Sequence, residues 1–568
     1  MSDIEQLQQQ VDEQGRVVRD LKAAKAEKAQ LDEQVALLLA LKKKLQITSG
    51  NGEVEADGPK KKSGGASKAL VLKEPKVNMH AEPSCGTKDY TPKEMALRTD
   101  IFRTITSVFE KHGAVTIDTP VFELKEILVG KYGEDSKLIY DLKDQGGEEC
   151  SLRYDLTVPF ARFVAQNGIS NIKRYHLAKV YRRDQPAITK GRMREFYQCD
   201  YDIAGVYDPM IPDAECVRVA VNVLTQLDVG KFVVKLNHRK ILDAIFEVSG
   251  VPADKVRAIS SAVDKLDKAP WAEVRREMTQ EKGLDAAVAD RIGEYVQISG
   301  SGEEVLARLQ AMPELMASTK AQEGVKDMGL FFRYAKIFGI MDYISFDMSL
   351  ARGLDYYTGI IYEAVLVEEN VRSATTEAQP PASVAKKSSK KDKKEEEDES
   401  QIRVGSIAAG GRYDELVGMF SSAMHTKGKK TDVPCVGISF GVERIFSIIK
   451  SRKLEAEIKA NRTQVYVISL GDKVEDSLLE DRMRIAAELW DAGIAAEFPY
   501  KIKPRPQAQY DTCDSSIIPW AVIIGKDEIS QGTVKIKNMA QKVEEEKGGV
   551  VVSRSDMIAE LKQRLQMN

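Results

Sequence analysis

"KRYHLAKVYRRDQPAITKGRMREFYQCDYDIAG", residues 173–205, reads as a β-hairpin. The spacing predicts a first strand from Tyr175 to Arg182, a connection holding Pro186 and Gly191, and a second strand from Phe196 to Ile203. Successive strand side chains point to opposite faces, so the second strand sorts into two sets. Tyr197, Cys199, Tyr201 and Ile203 make a core-like face. Phe196, Gln198, Asp200 and Asp202 make the other. An aromatic plate, an amide and carboxylates in a row suit a ligand with a flat base and an amino group. A solvated sheet face is the plainer alternative. The connection adds Arg182, Arg183, Lys190, Arg192 and Arg194. Alone this cluster reads as a hairpin tip in water. Beside the polar face it suggests phosphate binding, of ATP or of a nucleic-acid end.

Four other stretches repeat the style. "SLARGLDYYTGIIYEAV", 349–365, predicts a strand through Tyr356, Tyr357, Ile360, Ile361, Tyr362 and Val365. Arg352 leads into it, and a guanidinium at the mouth of an apolar sheet needs an anion or water. "SLRYDLTVPFARFVA", 151–165, predicts a strand, then Asp155, Leu156 and Thr157, then a helix opened near Pro159. A helix N-cap is the simple role for Thr157. "AAGGRYDELVGMF", 408–420, puts Gly410 and Gly411 where a backbone can approach a ligand, or where a bulge forms. "VPCVGISFGVERIFSIIK", 433–450, is a strand leading into a helix with Arg444 in its first turn. A cation there opposes the helix dipole, which an anionic or stacked ligand would explain.

The rest of the chain sets the frame. At 568 residues several domains are expected. The net charge of −3 gives no global attraction to nucleic acid or membrane, so polyanion binding must come from local patches. No apolar run approaches a membrane span, and the polar, acidic start "MSDIEQLQQQ" resembles neither a signal nor a transit peptide. None of the six cysteines forms a C-x-x-C pair, which argues against a structural zinc or disulfide framework and for a reducing compartment. Residues 1–47 read as a helical hairpin with a break at Gln30 to Asp32, followed by a flexible linker over 48–85, Gly-, Ser- and Lys-rich to residue 68. Residues 86–455 form the main body, carrying a helical insertion over about 251–342 and a charged, disordered insertion over about 368–402. Residues 462–568 alternate strands ("QVYVISL", "AAEFPY", "AVIIG") with helices, the pattern of a small α/β domain.

Together these motifs resemble the class II aminoacyl-tRNA synthetases, and within them the eukaryotic cytosolic type of histidyl-tRNA synthetase. Pro120 in "GAVTIDTPVFE" resembles the class's first motif, at a dimer interface. "YRRD" with "GRMREFYQCDYD" resembles the second, and "GISFGVERI" the third. "ARGLDYYTG" and "AAGGRYDELVG" resemble the family's two histidine signatures. The first 47 residues are similar to a WHEP domain, and the last hundred or so resemble the class IIa anticodon-binding domain. The implied fold is an α+β core on an antiparallel sheet, with an α/β anticodon domain and an N-terminal helical hairpin. The implied reaction joins L-histidine to ATP, with Mg2+, and passes it to tRNA(His). A homodimer in the cytoplasm is implied, with no membrane or DNA partner; a mitochondrial form from another start is compatible. Arg182 and Arg352 would hold the α-phosphate, with Asp184 and Arg192 beside the ATP. Phe196 and Arg444 would sandwich the adenine. Asp155, Leu156, Thr157, Gln198 and Asp202 would hold the amino acid, and Tyr356 and Tyr357 the imidazole. Asp184 departs from the class pattern, in which many members carry Glu. A non-catalytic tRNA sensor or regulatory subunit is the alternative, but such proteins lose parts of this constellation.

Overall fold

The computed structural model describes residues 86–566 except 129–130, 144–145, 186–191, 268, 352–355, 368–404, 425–431, 453–457, 472–477 and 540–548. It also describes Gln10, Glu13, Gln14, Arg16, Val17, Gln34 and Leu37. The chain forms two units, 1–78 and 79–568. In the first, the described residues are helical, and Gln14 Nε2 donates to Gln34 Oε1 at 2.7 Å. A bond across twenty positions fits two helices side by side. The break at 30–32, the linker over 48–85 and the insertion over 368–402 lie outside the described residues.

The second unit opens with helix α1 (Pro92–Lys111). Thr91 and Glu94 form a capping box, Pro92 occupies the first turn, and Gly113 ends the run at φ +77°. Its buried stripe is Leu97, Ile101, Ile105, Val108 and Phe109. Strands β1 (Val115–Thr116), β2 (Phe122–Leu124) and β3 (Cys150–Leu152) lead to helix α2 (Thr157–Gln166). The hairpin is β4 (Ile172–Tyr181) and β5 (Glu195–Ala204), each longer than its alternation alone predicts. Helix α3 (Ile211–Gln226), strand β6 (Phe232–His238) and helix α4 (Arg239–Ser249) follow. The stretch 251–342 is helical, but it also contributes a short strand, β7 (Ser299–Gly300), to the sheet edge. After β8 (Ile344–Asp347) come β9 (Ile360–Leu366), β10 (Ala408–Arg412), helix α5 (Leu416–Met424), β11 (Cys435–Gly441) and helix α6 (Val442–Arg452).

Among the described residues nine of these strands make one sheet in the order β1-β4-β5-β11-β10-β9-β6-β8-β7, while β2 and β3 pair with each other. It is antiparallel apart from the β1–β4 and β6–β8 pairs. Helices α1 and α3 cover one face, where Cys199, Tyr201, Ile203, Ile438 and Phe440 are buried. The opposite face of β5 and β11, with residues of β9 and β10, forms the wall of a cavity. Beyond the core, β12 (Val465–Leu470), β13 (Ala496–Glu497), β14 (Trp520–Gly525), β15 (Thr533–Asn538) and β16 (Val550–Ser553) form a mixed sheet in the order β13-β12-β14-β15-β16. Helices Leu479–Asp491, Pro506–Ser515 and Met557–Gln566 accompany it. Among the described residues no helix is long and apolar enough to cross a membrane.

Candidate active site

A cavity of about 600 Å3 opens on the polar face of the hairpin. Its floor is set by strand register. Val180 faces Phe196, Ala178 faces Gln198, His176 faces Asp200 and Arg174 faces Asp202. From the other side Gly441, Ser439 and Gly437 of β11 face Gln198, Asp200 and Asp202. Phe196, Gln198, Asp200 and Asp202 therefore line the cavity as the alternation predicts.

The deep end is a dense polar cluster. Arg174, fully buried, lies 2.7 Å from Asp202 and 3.8 Å from Asp200 through Nη2. Its guanidinium rests on the Phe160 ring at 4.3 Å and donates to the Leu156 carbonyl at 3.1 Å. Tyr413 donates its hydroxyl to Asp202. Gln198 Nε2 donates to Ser439 Oγ at 2.6 Å. Burial pushes Asp200 up to about 7, against the pull of Arg174 and with the charge of Asp202 adding to it. Burial also raises Asp202, opposed by Arg174 and Tyr413.

Asp155 forms a second buried acid. Tyr132 donates to it at 2.7 Å and the Val158 amide at 3.1 Å. Burial raises its carboxyl, and those hydrogen bonds pull the other way. Asp155 thus caps helix α2, not Thr157, which is the first helical residue; the cap position is Leu156, with no side-chain bond. A carboxylate before the helix suits its positive end. Thr157 instead lines the cavity. Leu156 does not reach it: its side chain is buried against Ala178 and Val180. An apolar side chain next to the sheet gains more from that packing than from a polar cavity.

The mouth carries the cations. Arg182 donates Nε to the Tyr154 carbonyl at 3.1 Å, and its guanidinium sits 4.2 Å from the Tyr154 ring and 5.1 Å from the Phe196 ring. Asp184 accepts from Arg192 and caps the Gln185 amide at 2.8 Å. Arg444 donates to the Ser406 carbonyl and lines the cavity with Phe196. Beside it Glu443 accepts from Arg98 at 3.0 Å and from the Tyr197 amide, tying helix α1 to both walls. Tyr356 and Tyr357 line the opposite wall, with rings 4.8 Å apart and Tyr356 6.2 Å from Tyr413. They precede β9 instead of lying in it. Thr358 breaks the strand by bonding the Arg412 carbonyl and Asp414, and Arg412 is anchored in turn on Asp213 at 2.8 Å. Arg352 and Lys190 lie outside the described residues.

Gly410 and Gly411 have a packing role. A Cβ on Gly410 would overlap the Gly437 carbonyl and meet the Tyr362 ring at 2.7 Å; one on Gly411 would meet the Ile360 carbonyl at 2.6 Å and the Tyr357 ring at 3.0 Å. The sequence reading passed over Arg174, Tyr132, Tyr413, Ser439 and Glu443. A charged residue at an inward position of the first strand was the available sign for Arg174. The others come from separate elements, and no local pattern marks them.

Comparisons with known proteins agree with this geometry. The histidyl-tRNA synthetase family model matches residues 86–374, an anticodon-binding domain matches 464–564, and a WHEP-TRS domain matches 7–56. The cytoplasmic histidine–tRNA ligase of Takifugu rubripes is 50% identical over 536 residues, covering 94% of this chain and 93% of that protein. The mitochondrial histidine–tRNA ligase of Saccharomyces cerevisiae is 52% identical over 496 residues, covering 87% and 88%. A histidyl-tRNA synthetase structure from Nostoc sp. PCC 7120 superposes with a TM-score of 0.65 at 27% identity, covering 85% of this chain and 98% of that one. With matches that span the motifs in their order, the chain belongs to the histidyl-tRNA synthetase family.

Proposed function

We propose a division of labour among the residues of this cavity for the family's reaction. The chain is a histidine–tRNA ligase of class II: it activates L-histidine with ATP and transfers it to the 3′ end of tRNA(His). The observation that carries the residue roles is the single row of Phe196, Gln198, Asp200 and Asp202, flanked by the cations Arg182 and Arg444. Phe196 and Arg444 sandwich the adenine, with Asp184 and Arg192 beside it. Arg182 takes the α-phosphate, and Arg352, which lies outside the described residues, is assigned to the same group. Asp155, Thr157, Gln198 and Asp202 hold the amino acid, and Tyr356 and Tyr357 enclose its imidazole.

In this arrangement the histidine carboxylate oxygen attacks the α-phosphorus, and the bond to the pyrophosphate oxygen breaks. Negative charge grows on the equatorial oxygens, where a fixed guanidinium stabilises it without reorganising. Arg182 is already held by Tyr154 and Phe196, so it needs little further ordering. Mg2+ bound to the ATP as part of the substrate would supply charge neutralisation for the departing pyrophosphate. The 3′-terminal ribose hydroxyl of the tRNA then displaces the nucleotide from the histidyl carbonyl. No covalent enzyme intermediate is involved.

We assign the domains to 1–47, 48–85, 86–455 and 462–568, a division supported by the order of the family matches. A homodimer is supported by the exposed Val115, Val121 and Phe122 beside Pro120. A cytoplasmic setting is supported by the name of the Takifugu relative, while the yeast relative is named mitochondrial. Histidine-dependent exchange of pyrophosphate into ATP is the test. The wild-type protein exchanges, and Arg182→Ala loses on the order of 10²–10³ in rate. Near wild-type exchange in that variant would overturn the role of Arg182. No exchange in the wild-type protein would favour the sensor reading.

A further inference from the structure

Three buried oxygens on the cavity face of β5 have no hydrogen bond among the described residues; Asp202 Oδ2 lies 2.7 Å from Arg174 Nη2, which leaves Gln198 Oε1 and Asp200 Oδ1 without a donor or a cation close by. Their residues are 9% and 2% exposed, and both line the cavity. They stand two positions apart on one strand face, about 7 Å along the chain. Each side chain is fixed at its other end. Gln198 Nε2 is bonded to Ser439 Oγ, and Asp200 Oδ2 lies 3.8 Å from Arg174. A buried acceptor without a donor is costly, so such atoms in a cavity mark where the donors of a ligand go.

Charge counting narrows the ligand group. Arg174 is the fully buried cation here, and it faces two carboxylates, Asp200 and Asp202. Asp202 has Arg174 closer and accepts the Tyr413 hydroxyl, whereas Asp200 has the Ser439 hydroxyl beside it and Arg174 at 3.8 Å. Opposite Asp200, burial and the charge of Arg174 hold His176 neutral near pH 7. Beside Asp200 the cavity therefore holds an excess of carboxyls over buried cations, and a cation placed there would offset the burial that favours the protonated form of Asp200. A neutral imidazole N–H offers one donor and no charge. An ammonium offers three donors and one positive charge, which matches both free oxygens and the excess.

We propose that Asp200 is a further histidine-binding residue, its Oδ1 and the Oε1 of Gln198 together accepting from the α-ammonium group of the substrate. This rests on the reading that the cavity takes L-histidine. The contact sets the amino acid's orientation and gives the site a reason to reject ligands that lack the amine.

The test compares two ligands, L-histidine and imidazolepropionate, the same molecule without its amine. Their binding to the wild-type full-length protein and to Asp200→Asn is measured by titration calorimetry. Asp200→Asn preserves shape and a hydrogen-bond acceptor while removing the charge. It should weaken L-histidine about ten- to a hundredfold and leave imidazolepropionate within about twofold. The KM for ATP and the melting temperature should not move. Asp200→Ser is the second variant, and the same contrast holds if the first folds poorly. Equal weakening of both ligands would show that Asp200 serves the imidazole or only the fold, and would overturn the proposal. Unchanged L-histidine affinity would overturn it too. Failure of the wild-type protein to bind L-histidine would instead overturn the cavity reading, and the proposal with it.

Discussion

At the scale of single residues, the buried charges of the hairpin tie function to acid stability. His176 is 3% exposed, with Nε2 2.9 Å from Asp118 and no partner for Nδ1 among the described residues. Burial, helped by the charge of Arg174, pushes it from 6.5 down to about 4, although Asp118 pulls the other way. The folded pKa is depressed, so the group is neutral in both states at pH 7. As pH falls below 6.5 the unfolded chain takes the proton first. Stability tied to His176 is therefore present above 6.5 and lost as pH falls to about 4. His176→Gln should lower the melting temperature at pH 7 but flatten its decline between those two pH values. Thermal melts across that range check this, and an unchanged slope would show that His176 is not the group titrating. Much of this neighbourhood is legible in the sequence. Alternation alone places Phe196, Gln198, Asp200 and Asp202 on one face. Arg174 is not legible in the same way. Its pairing with Asp202 depends on the register of β4 against β5, and a connection as long as this one leaves that register unspecified.

At the scale of elements, three glycines on neighbouring strands shape the floor. Gly437 of β11 faces Asp202 of β5, and a Cβ there would overlap the Asp202 carboxylate and meet the Tyr201 carbonyl at 2.8 Å. The absent side chain is the space that Asp202 occupies. Gly437→Ala should displace that carboxylate from Tyr413 and Arg174. The expected result is a raised KM for histidine, little change for ATP, and a loss of about 1–3 kcal/mol in stability from overpacking. A histidine KM at the wild-type value, measured by pyrophosphate exchange, would mean that the sheet absorbs the methyl group without moving Asp202. The sequence marks Gly410 and Gly411 as unusual, but steric need and ligand approach look alike until the neighbouring strand is known. Element ends fail for similar reasons. The aromatic run before Ile360 has strand propensity, yet the bonds from Thr358 to Arg412 and Asp414 hold Tyr356 and Tyr357 off the ladder. Strand β15 carries a clean alternation, with Val534 and Ile536 buried between Thr533, Lys535 and Lys537, but its lysines make it look like a surface loop.

At the scale of the whole molecule, the connectivity of the sheet determines which parts of the chain the fold needs. Strands β9 and β10 are antiparallel neighbours, with Ile361 facing Gly411 and Ala364 facing Ala408. The Ile407 amide adds a bond to the Ala364 carbonyl at 2.9 Å. Each strand is also held on its far side, β9 by β6 and β10 by β11. The register of the pair is therefore fixed by four strands, through pairings that lie outside residues 372–400. That segment is poor in apolar residues, a composition from which little core burial is expected. Joining its flanks with a short Gly/Ser link changes loop-closure entropy only slowly, by about 0.6 kcal/mol per doubling of length. The excised protein should exchange pyrophosphate and aminoacylate at near-normal rates, with a melting temperature within a few degrees of the parent. The competing idea is that the lysines of 386–394 contact tRNA phosphates. It predicts normal exchange, a raised KM for tRNA, and a shallower dependence of that KM on salt because fewer counterions are released. Measuring both reactions at two salt concentrations separates the two. A loss confined to the tRNA step makes the segment an RNA contact. A loss of exchange as well would mean that the β9–β10 pair relies on it after all.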